Sequence, residues 1–305
     1  MRLHPLIAAL VLLATPTLHA QQPSAAVMAA ITQDPAPDKA NPARFETFQL
    51  PSHGALLNAI VYVAAGPSSH PTVVLLHGFP GNEKNLDLAQ SLRRAGWNVL
   101  FFNYRGSWGS PGEFSFTHCL EDAQTAIAYL RDPANAKRLH SDPANIALVG
   151  HSMGGFVARY VGAHDPAIKA IVLLSAADMV GRAAKVTPEM ETMAIPMIAK
   201  GLAAEGMAPL AGTSPEALAK EVLANRADWT PVQLAPLLAT RPVLVLTSDD
   251  GLAPSNDAVT AAIRQAGGTR VQTLHLTTDH SYSGQRIALQ QAVLTFLAPL
   301  KPTTP

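Results

Sequence analysis

The sequence is short of several features that would each point to a class of protein. Only one of its 305 residues, Cys119, is a cysteine, so an intramolecular disulfide and a thiolate metal site are both excluded. Charged residues make up 14%, with 22 basic and 22 acidic side chains, so no net charge favours nucleic acid or an acidic membrane surface. No apolar run reaches the roughly 18 residues of a membrane-spanning helix, which argues against stable membrane insertion.

Nucleotide-binding signatures are missing too, because no G-x-G-x-x-G opens a helix after a strand and no Walker lysine is present. The sequence has instead 48% hydrophobic residues, enough to bury a large core. Its 25 prolines and 20 glycines are scattered rather than periodic. This composition predicts one globular domain, or at most two, and excludes intrinsic disorder for most of the chain.

The first twenty residues have the pattern of a signal peptide. Arg2 precedes an apolar run over residues 6–14, and Pro16 and Ala20 follow before a plausible cleavage site. Residues 1–20 are therefore predicted to direct export to the periplasm or the medium, the alternative being an uncleaved N-terminal anchor. Residues 21–43, rich in alanine, proline and glutamine, are predicted to form a flexible leader before a domain over residues 44–300.

From residue 45 onward, short apolar runs alternate with amphipathic stretches, as in a mostly parallel sheet with crossover helices. Eight runs have the length and composition of strands: residues 45–50, 56–64, 72–76, 98–102, 146–149, 168–174, 243–246 and 271–276. Helical spacing is seen over residues 86–95 and 119–130.

One long interval between the sixth and seventh predicted strands has a helical pattern, and we predict a helical lid there, over about residues 178–239. Its methionines 190, 193 and 197 recur at spacings of three and four residues, which puts Met190, Met193 and Met197 on one helical face. Two interpretations stay open, either the apolar core of the lid or a pliable lining for an acyl group.

The motif that carries chemistry is Gly150-His151-Ser152-Met153-Gly154, between an apolar strand and a helical pattern. This G-x-S-x-G arrangement is the nucleophile elbow, in which a tight turn holds the serine hydroxyl out at the end of a sheet. Glycine is needed at the flanking positions because a side chain there would clash. Ser152 is therefore the predicted nucleophile.

A serine hydroxyl needs a base to accept its proton, and the base needs a carboxylate to orient it. After Ser152 the chain offers three histidines. His164 lies in the helix after the elbow and His275 lies within a predicted strand, whereas His280 follows the last strand in a polar loop. His280 is therefore the predicted base.

The acid should follow the seventh strand, where two aspartates, Asp249 and Asp250, are adjacent. Neighbouring loop residues point in different directions, so one can bond His280 while the other caps a turn. Asp178, after the sixth strand, is a third candidate. The residues alone leave these three open.

The developing oxyanion needs preorganised donors, which backbone amides can supply. One predicted donor is the amide of Met153, next after the nucleophile. The other is the amide of Phe79, in the loop His77-Gly78-Phe79-Pro80-Gly81 after the third strand, where glycine lets the backbone approach the nucleophile closely.

Over residues 45–297 the chain resembles the α/β-hydrolase superfamily, in particular its serine esterases and prolyl-oligopeptidase-like members. The resemblance rests on residues 73–81, on residues 103–109, on the elbow, and on Asp250 and His280. It implies an α/β fold with helices on both faces of an eight-stranded sheet in the order 1-2-4-3-5-6-7-8, the second strand antiparallel. Relatives often carry glycine, two residues, aspartate, three residues and proline after the seventh strand, which favours Asp250, although Thr247 replaces that glycine.

The function implied by the resemblance is hydrolysis of carboxylic esters through an acyl-enzyme, without a cofactor or metal ion. The substrate is expected to be a small-molecule ester or a short peptide-like compound. A peptidase, amidase or thioesterase could use the same three residues, because the elbow does not specify the leaving group. A catalytically inactive binding protein with the same fold is the remaining alternative.

Overall fold

The computed structural model describes residues 22–301. The predicted signal peptide, residues 1–20, lies outside them.

Eight strands form one sheet in the order β1-β2-β4-β3-β5-β6-β7-β8. Strand β2 is antiparallel to both β1 and β4, and the other neighbours are parallel. The strands are β1 (Arg44–Ser52), β2 (Ala55–Val63), β3 (His70–Leu76), β4 (Asn98–Phe102), β5 (Ser141–His151), β6 (Ala170–Leu174), β7 (Val243–Thr247) and β8 (Val271–His275). The predicted fold class and strand order are confirmed.

Helices cover both faces of the sheet. The α-helices are α1 (Ala25–Thr32), α2 (Leu86–Arg94), α3 (Phe116–Arg131), α4 (Pro133–Leu139), α5 (Met153–His164), α6 (Glu191–Ala204), α7 (Pro215–Ala224), α8 (Ala235–Leu238), α9 (Ala253–Gln265) and α10 (Arg286–Leu297). Short 3₁₀ helices span Gly181–Lys185, Pro188–Met190, Pro231–Leu234 and Ala298–Leu300. No helix within residues 22–301 has the length and apolarity needed to cross a membrane.

Successive side chains of the central strands point alternately to the two faces of the sheet, which divides the core into two parts. In β3, Val74 and Leu76 pack on the side of α3, α5 and the lid, whereas Val73 and Leu75 pack on the side of α1, α2 and α10. Successive side chains of a strand point to opposite faces, and both faces are covered here. This is why β3, β4, β6 and β7 are continuous buried runs, and why their carboxyl ends are rigid supports for a site.

The predicted leader needs a correction, because part of it is helical. Ser24 caps α1 through a hydrogen bond from the Val27 amide to its hydroxyl, at 3.2 Å. Val27 and Ala30 are buried beside α2 and α10, and the Arg94 side chain donates to the carbonyl of Ala30 at 2.5 Å. Packing against α2 and α10 therefore stabilises helix α1, and the composition of residues 21–43 gives no sign of this contact.

Residues 178–239 form a helical insertion between β6 and β7, and we call this segment the lid. It contains α6, α7, α8 and three 3₁₀ helices. A short pairing joins it to the loop after β4, where the amides of Trp108 and Phe114 donate to the carbonyls of Pro209 and Ala211, each at 2.9 Å. The carboxylate of Glu221 in the lid accepts hydrogen bonds from the first amides of α3. The lid is thus attached to the rest of the domain at internal positions as well as at its two ends.

The methionine stripe of the lid is not buried. Met190, Met193 and Met197 are 45%, 69% and 74% exposed. The interpretation of these side chains as lid core is therefore wrong. Buried lid residues lie elsewhere, and they include Val180, Ala183, Ala199, Leu218, Ala219, Val222, Leu223, Trp229, Leu234, Ala235 and Leu238.

Candidate active site

Ser152 stands between the end of β5 and the start of α5 in a strained backbone conformation. Its φ of 56° and ψ of −122° lie outside the regions that non-glycine residues ordinarily occupy. Its amide donates to the carbonyl of Leu174 at 2.9 Å, which fixes the turn against the end of β6. Strain of this kind is retained where the surrounding structure over-determines it, as at a nucleophile elbow.

The glycines of the elbow are required by space. A Cβ on Gly150 would lie 2.0 Å from the carbonyl oxygen of Gly154, and a Cβ on Gly154 would lie 2.1 Å from that of Leu76. Both distances are well inside van der Waals contact. The strand, the turn and the helix can therefore approach this closely only without side chains at these two positions.

Asp250 and His280 are paired, with Asp250 Oδ2 lying 2.7 Å from His280 Nδ1. The Asp250 side chain is 5% exposed and that of His280 is 39% exposed. Burial by itself would raise the pKa of Asp250, but hydrogen bonds from His280 and the Leu252 amide, together with two nearby serine hydroxyls, outweigh it, and the pKa lies below its usual value. The carboxylate is thus ionised at neutral pH, and it holds the Nδ1 proton of the imidazole.

The loop that carries His280 lies directly against the elbow. The rings of His280 and His151 are 4.7 Å apart between centroids, and His151 Nε2 lies 2.8 Å from the carbonyl oxygen of His280. Since His151 immediately precedes Ser152, the loop of His280 lies beside the elbow, and the three predicted residues stand on neighbouring segments at the carboxyl edge of the sheet: the elbow and the loops after β7 and β8.

The competing candidates have other partners. Asp249 Oδ1 lies 3.0 Å from His275 Nε2, and the other nitrogen of that imidazole lies 2.9 Å from the Thr247 hydroxyl. Thr247, the departure from the pattern of relatives, thus joins a small polar cluster at the end of the sheet. Asp178 accepts hydrogen bonds from the next amides of the lid, those of Val180 and Gly181, at 3.2 and 2.8 Å.

The amides predicted as oxyanion donors flank the serine. Met153 is the first residue of α5, and within the described residues neither its N–H nor that of Phe79 has a hydrogen-bond acceptor. Gly78, beside Phe79, approaches the nucleophile so closely that a Cβ there would lie 2.9 Å from the Cβ of Ser152. A free helix N-terminus also favours negative charge.

Two aromatic residues that sequence analysis had not assigned to this role hold the loop of Phe79 in place. The indole N–H of Trp108 donates to the carbonyl of Pro80 at 2.8 Å, and the Tyr104 hydroxyl donates to that of His77 at 3.3 Å. His77 itself is fully buried, and burial lowers its pKa to about 4, so its ring is neutral. Its Nδ1–H donates to the Gly78 carbonyl at 2.8 Å, which stiffens the same loop.

Comparison with known proteins gives a family and a fold. A family model described as the alpha/beta hydrolase fold matches residues 71–257. Among curated proteins, an uncharacterised protein of Mycobacterium tuberculosis strain H37Rv is 34% identical over 99 residues, and the uncharacterised protein YfhR of Escherichia coli K12 is 30% identical over 115 residues. Those alignments cover 32% and 36% of this chain and 34% and 39% of the relatives, so the matched region spans about a third of the length of each.

Solved structures of similar shape include two carboxylesterases. The thermostable carboxylesterase EstE1, from a metagenomic library, has a TM-score of 0.61 at 22% identity, over 90% of this chain and 93% of that one. A carboxyl esterase of Bacillus coagulans has a TM-score of 0.63 at 15% identity, over 84% and 98%. Est1E of Butyrivibrio proteoclasticus, solved with ferulic acid, has a TM-score of 0.60 at 20% identity, over 83% and 98%. At these identities the likeness establishes the fold alone.

Proposed function

The chain belongs to the α/β-hydrolase fold family, and on that premise we propose that it is a serine hydrolase that cleaves carboxylic esters through an acyl-enzyme. Ser152 is the nucleophile, His280 the general base and acid, and Asp250 the residue that orients the base. The amides of Phe79 and Met153 hold the oxyanion. The observation that carries the proposal is the 2.7 Å contact between the buried Asp250 carboxylate and the half-buried His280, on a loop that packs against the strained turn of Ser152.

The proposed chemistry follows from the proton positions. Asp250 accepts the Nδ1 proton of His280, so the Nε2 lone pair is free to take the proton of the Ser152 hydroxyl. The serine oxygen then attacks the ester carbonyl carbon, and negative charge develops on the carbonyl oxygen, which two preorganised amides can stabilise. The tetrahedral intermediate then breaks down and releases the alcohol, which takes the proton from His280. Water repeats the sequence on the acyl-serine, releasing the carboxylic acid and restoring the enzyme.

An ester is the preferred substrate because solved structures of similar shape include two carboxylesterases and a further esterase. A family model and shared shape raise this expectation without specifying the bond, since one fold carries many hydrolytic activities. Export to the periplasm or the medium is part of the proposal, and its support is the sequence pattern of residues 1–20.

The test compares substrates that differ in the bond broken. Purified protein is given p-nitrophenyl esters of varied acyl length, an acyl thioester, and aminoacyl and prolyl p-nitroanilides, and its serine is labelled with a fluorophosphonate. We expect ester turnover to exceed amide turnover, and both turnover and labelling to be lost in Ser152→Ala with the fold intact. Labelling of Ser152→Ala would contradict the nucleophile, whereas faster amide than ester cleavage would contradict the substrate class.

A further inference from the structure

Three buried hydroxyl groups form a continuous chain behind the paired aspartate and histidine. The Tyr282 hydroxyl lies 2.9 Å from the Ser175 hydroxyl, which in turn lies 3.0 Å from that of Ser248. All three residues are almost completely inaccessible to solvent. None of them has a part in the chemical steps proposed above.

The positions of these residues connect three segments that form the site. Ser175 directly follows β6, and its amide donates to the carbonyl of Leu246 in β7 at 2.8 Å. Ser248 directly follows β7 and precedes Asp250 by two residues, while Tyr282 follows His280 by two residues. The hydroxyl chain therefore ties the loop of the acid to the loop of the base.

Backbone geometry shows that these contacts are maintained against a local cost. Ser175 and Tyr282 have φ angles of 42° and 57°, in the left-handed region that side chains with a Cβ disfavour. Such conformations persist where surrounding contacts over-determine them, and they are concentrated at functional sites. The hydroxyl contacts are among the interactions that hold both residues in this conformation.

On the basis of the proposed function, we propose that Ser175, Ser248 and Tyr282 are positioning residues, whose O–H groups are directed toward the Asp250 carboxylate and fix its orientation toward His280. A carboxylate can only accept hydrogen bonds, so the chain runs toward it: the Tyr282 O–H donates to Ser175, the Ser175 O–H donates to Ser248, and the Ser248 O–H is left to point toward the carboxylate. Every hydroxyl proton then has an acceptor. Successive hydrogen bonds in such a chain polarise one another, so the Tyr282 hydroxyl, the most distant group, also affects the carboxylate.

Two titration properties agree with this direction. The hydroxyls of Ser175 and Ser248 are among the groups that lower the pKa of Asp250 against the opposing effect of burial. Burial raises the pKa of Tyr282 to about 12, so its hydroxyl keeps its proton throughout the working range. Tyr282 is therefore a permanent donor.

Removing one of these hydroxyls should shift the acid limb of the pH–activity profile. With fewer donors, the Asp250 carboxylate attracts the protonated imidazole more strongly, so the acid side of the pH profile of kcat/KM moves to higher pH. The other charged or titratable groups facing this pair are His151 from the elbow, Asp279 from the histidine loop and Arg286 from α10. The variants below change none of them.

The experiment uses the full-length protein and the variants Tyr282→Phe, Ser248→Ala and their combination, with Tyr129→Phe as the matched control. Tyr129 lies on α3, stacks on Phe48 and accepts a hydrogen bond from Arg138, far from the hydroxyl chain in sequence and fold. We measure kcat, KM and the pH dependence of kcat/KM on the best p-nitrophenyl ester, together with the rate of fluorophosphonate labelling. Active enzyme is counted by the labelled fraction.

We expect Tyr282→Phe and Ser248→Ala each to lower kcat about threefold to tenfold at unchanged KM, and to move the acid limb to higher pH. The double variant should lose no more than the worse single variant, because either change breaks the same chain. Unchanged kcat and acid limb in both single variants would overturn the proposal. A loss explained by a smaller active fraction, with an unmoved limb, would also overturn it. Absence of ester turnover in the unaltered protein refutes the proposed function instead, and the labelling rate and its pH dependence still test the positioning role.

Discussion

His151 donates its Nε2–H to the carbonyl oxygen of His280 across 2.8 Å. A carbonyl only accepts, so this contact fixes the tautomer of His151 and leaves its Nδ1 unprotonated. That nitrogen is buried, with no partner within the described residues. Burial, reinforced by the charge of His280, lowers the pKa of His151 to about 4, so the ring stays neutral beside the histidine that becomes charged in the proposed mechanism.

This contact predicts a specific effect of substitutions at His151. In His151→Leu the loop of His280 loses its anchor on the elbow, and we expect kcat to fall about tenfold with little change in KM. His151→Gln keeps an N–H donor and should recover most of that loss. Steady-state kinetics on a p-nitrophenyl ester measure both, with active enzyme counted by fluorophosphonate labelling. Equal activity of the leucine and glutamine variants would argue against the anchoring role.

The adjacent aspartates allow a matched comparison. Asp250→Asn keeps the shape of the side chain but presents the wrong partner to His280, so we expect the rate to fall by about 10³ to 10⁴. Asp249 pairs with the exposed His275 instead, and Asp249→Asn should cost less than about tenfold. Values of kcat/KM for the two variants decide the question, and the reverse ranking would transfer the role of acid to Asp249.

Much of the fold could be predicted from the sequence because the signals are local. The central strands are continuous apolar runs, and the glycines of the elbow mark a turn whose geometry admits no side chain. His280 was favoured over His275 because it lies in a polar loop after the last strand rather than within that strand, and the structure shows His275 bonded to Asp249 and Thr247.

What the sequence could not show depends on contacts between distant segments. Ser175, Ser248 and Tyr282 are ordinary residues in the sequence, and they meet only because β6, β7 and the histidine loop are neighbours in the sheet. Helix α1 is stable through its packing on α2 and α10, which composition does not report. Periodicity alone also cannot tell which apolar face of a lid helix is covered.

Two neutral buried histidines predict the acid sensitivity of the fold. His77 and His151 both have a pKa lowered to about 4, mainly by burial, from 6.5 in the unfolded chain. Between these values the unfolded state binds more protons, so the free energy of unfolding falls as pH decreases from about 6.5 to about 4. Each histidine contributes a slope of up to about 1.4 kcal/mol per pH unit.

Urea unfolding at pH 7, 6 and 5 measures this dependence. The pKa of Asp250 is also lowered, so its contribution to the free energy of unfolding is also lost as pH decreases, but at lower pH than that of the histidines. His151→Gln removes one of these titrating rings and should reduce the slope in this window, to which His70 also contributes because burial lowers its pKa too. A free energy of unfolding that is constant or increases from pH 7 to pH 5 would contradict the prediction.

The lid predicts opposite outcomes for two kinds of apolar side chain. Trp229 is buried, with its ring centroid 5.1 Å from that of Phe156 and 6.3 Å from that of Phe116, so Trp229→Ala should cost about 3–5 kcal/mol in urea unfolding. Met193→Ala with Met197→Ala should change stability by less than about 0.5 kcal/mol, because both side chains are exposed.

With lid core excluded for these methionines, the prediction that remains is contact with the acyl chain of the substrate. We therefore expect the double variant to lower the ratio of kcat/KM for a hexanoyl over an acetyl ester several-fold, since each buried methylene contributes up to about 0.8 kcal/mol, while the acetyl rate is unchanged. An unchanged ratio would show that the acyl chain does not reach these side chains.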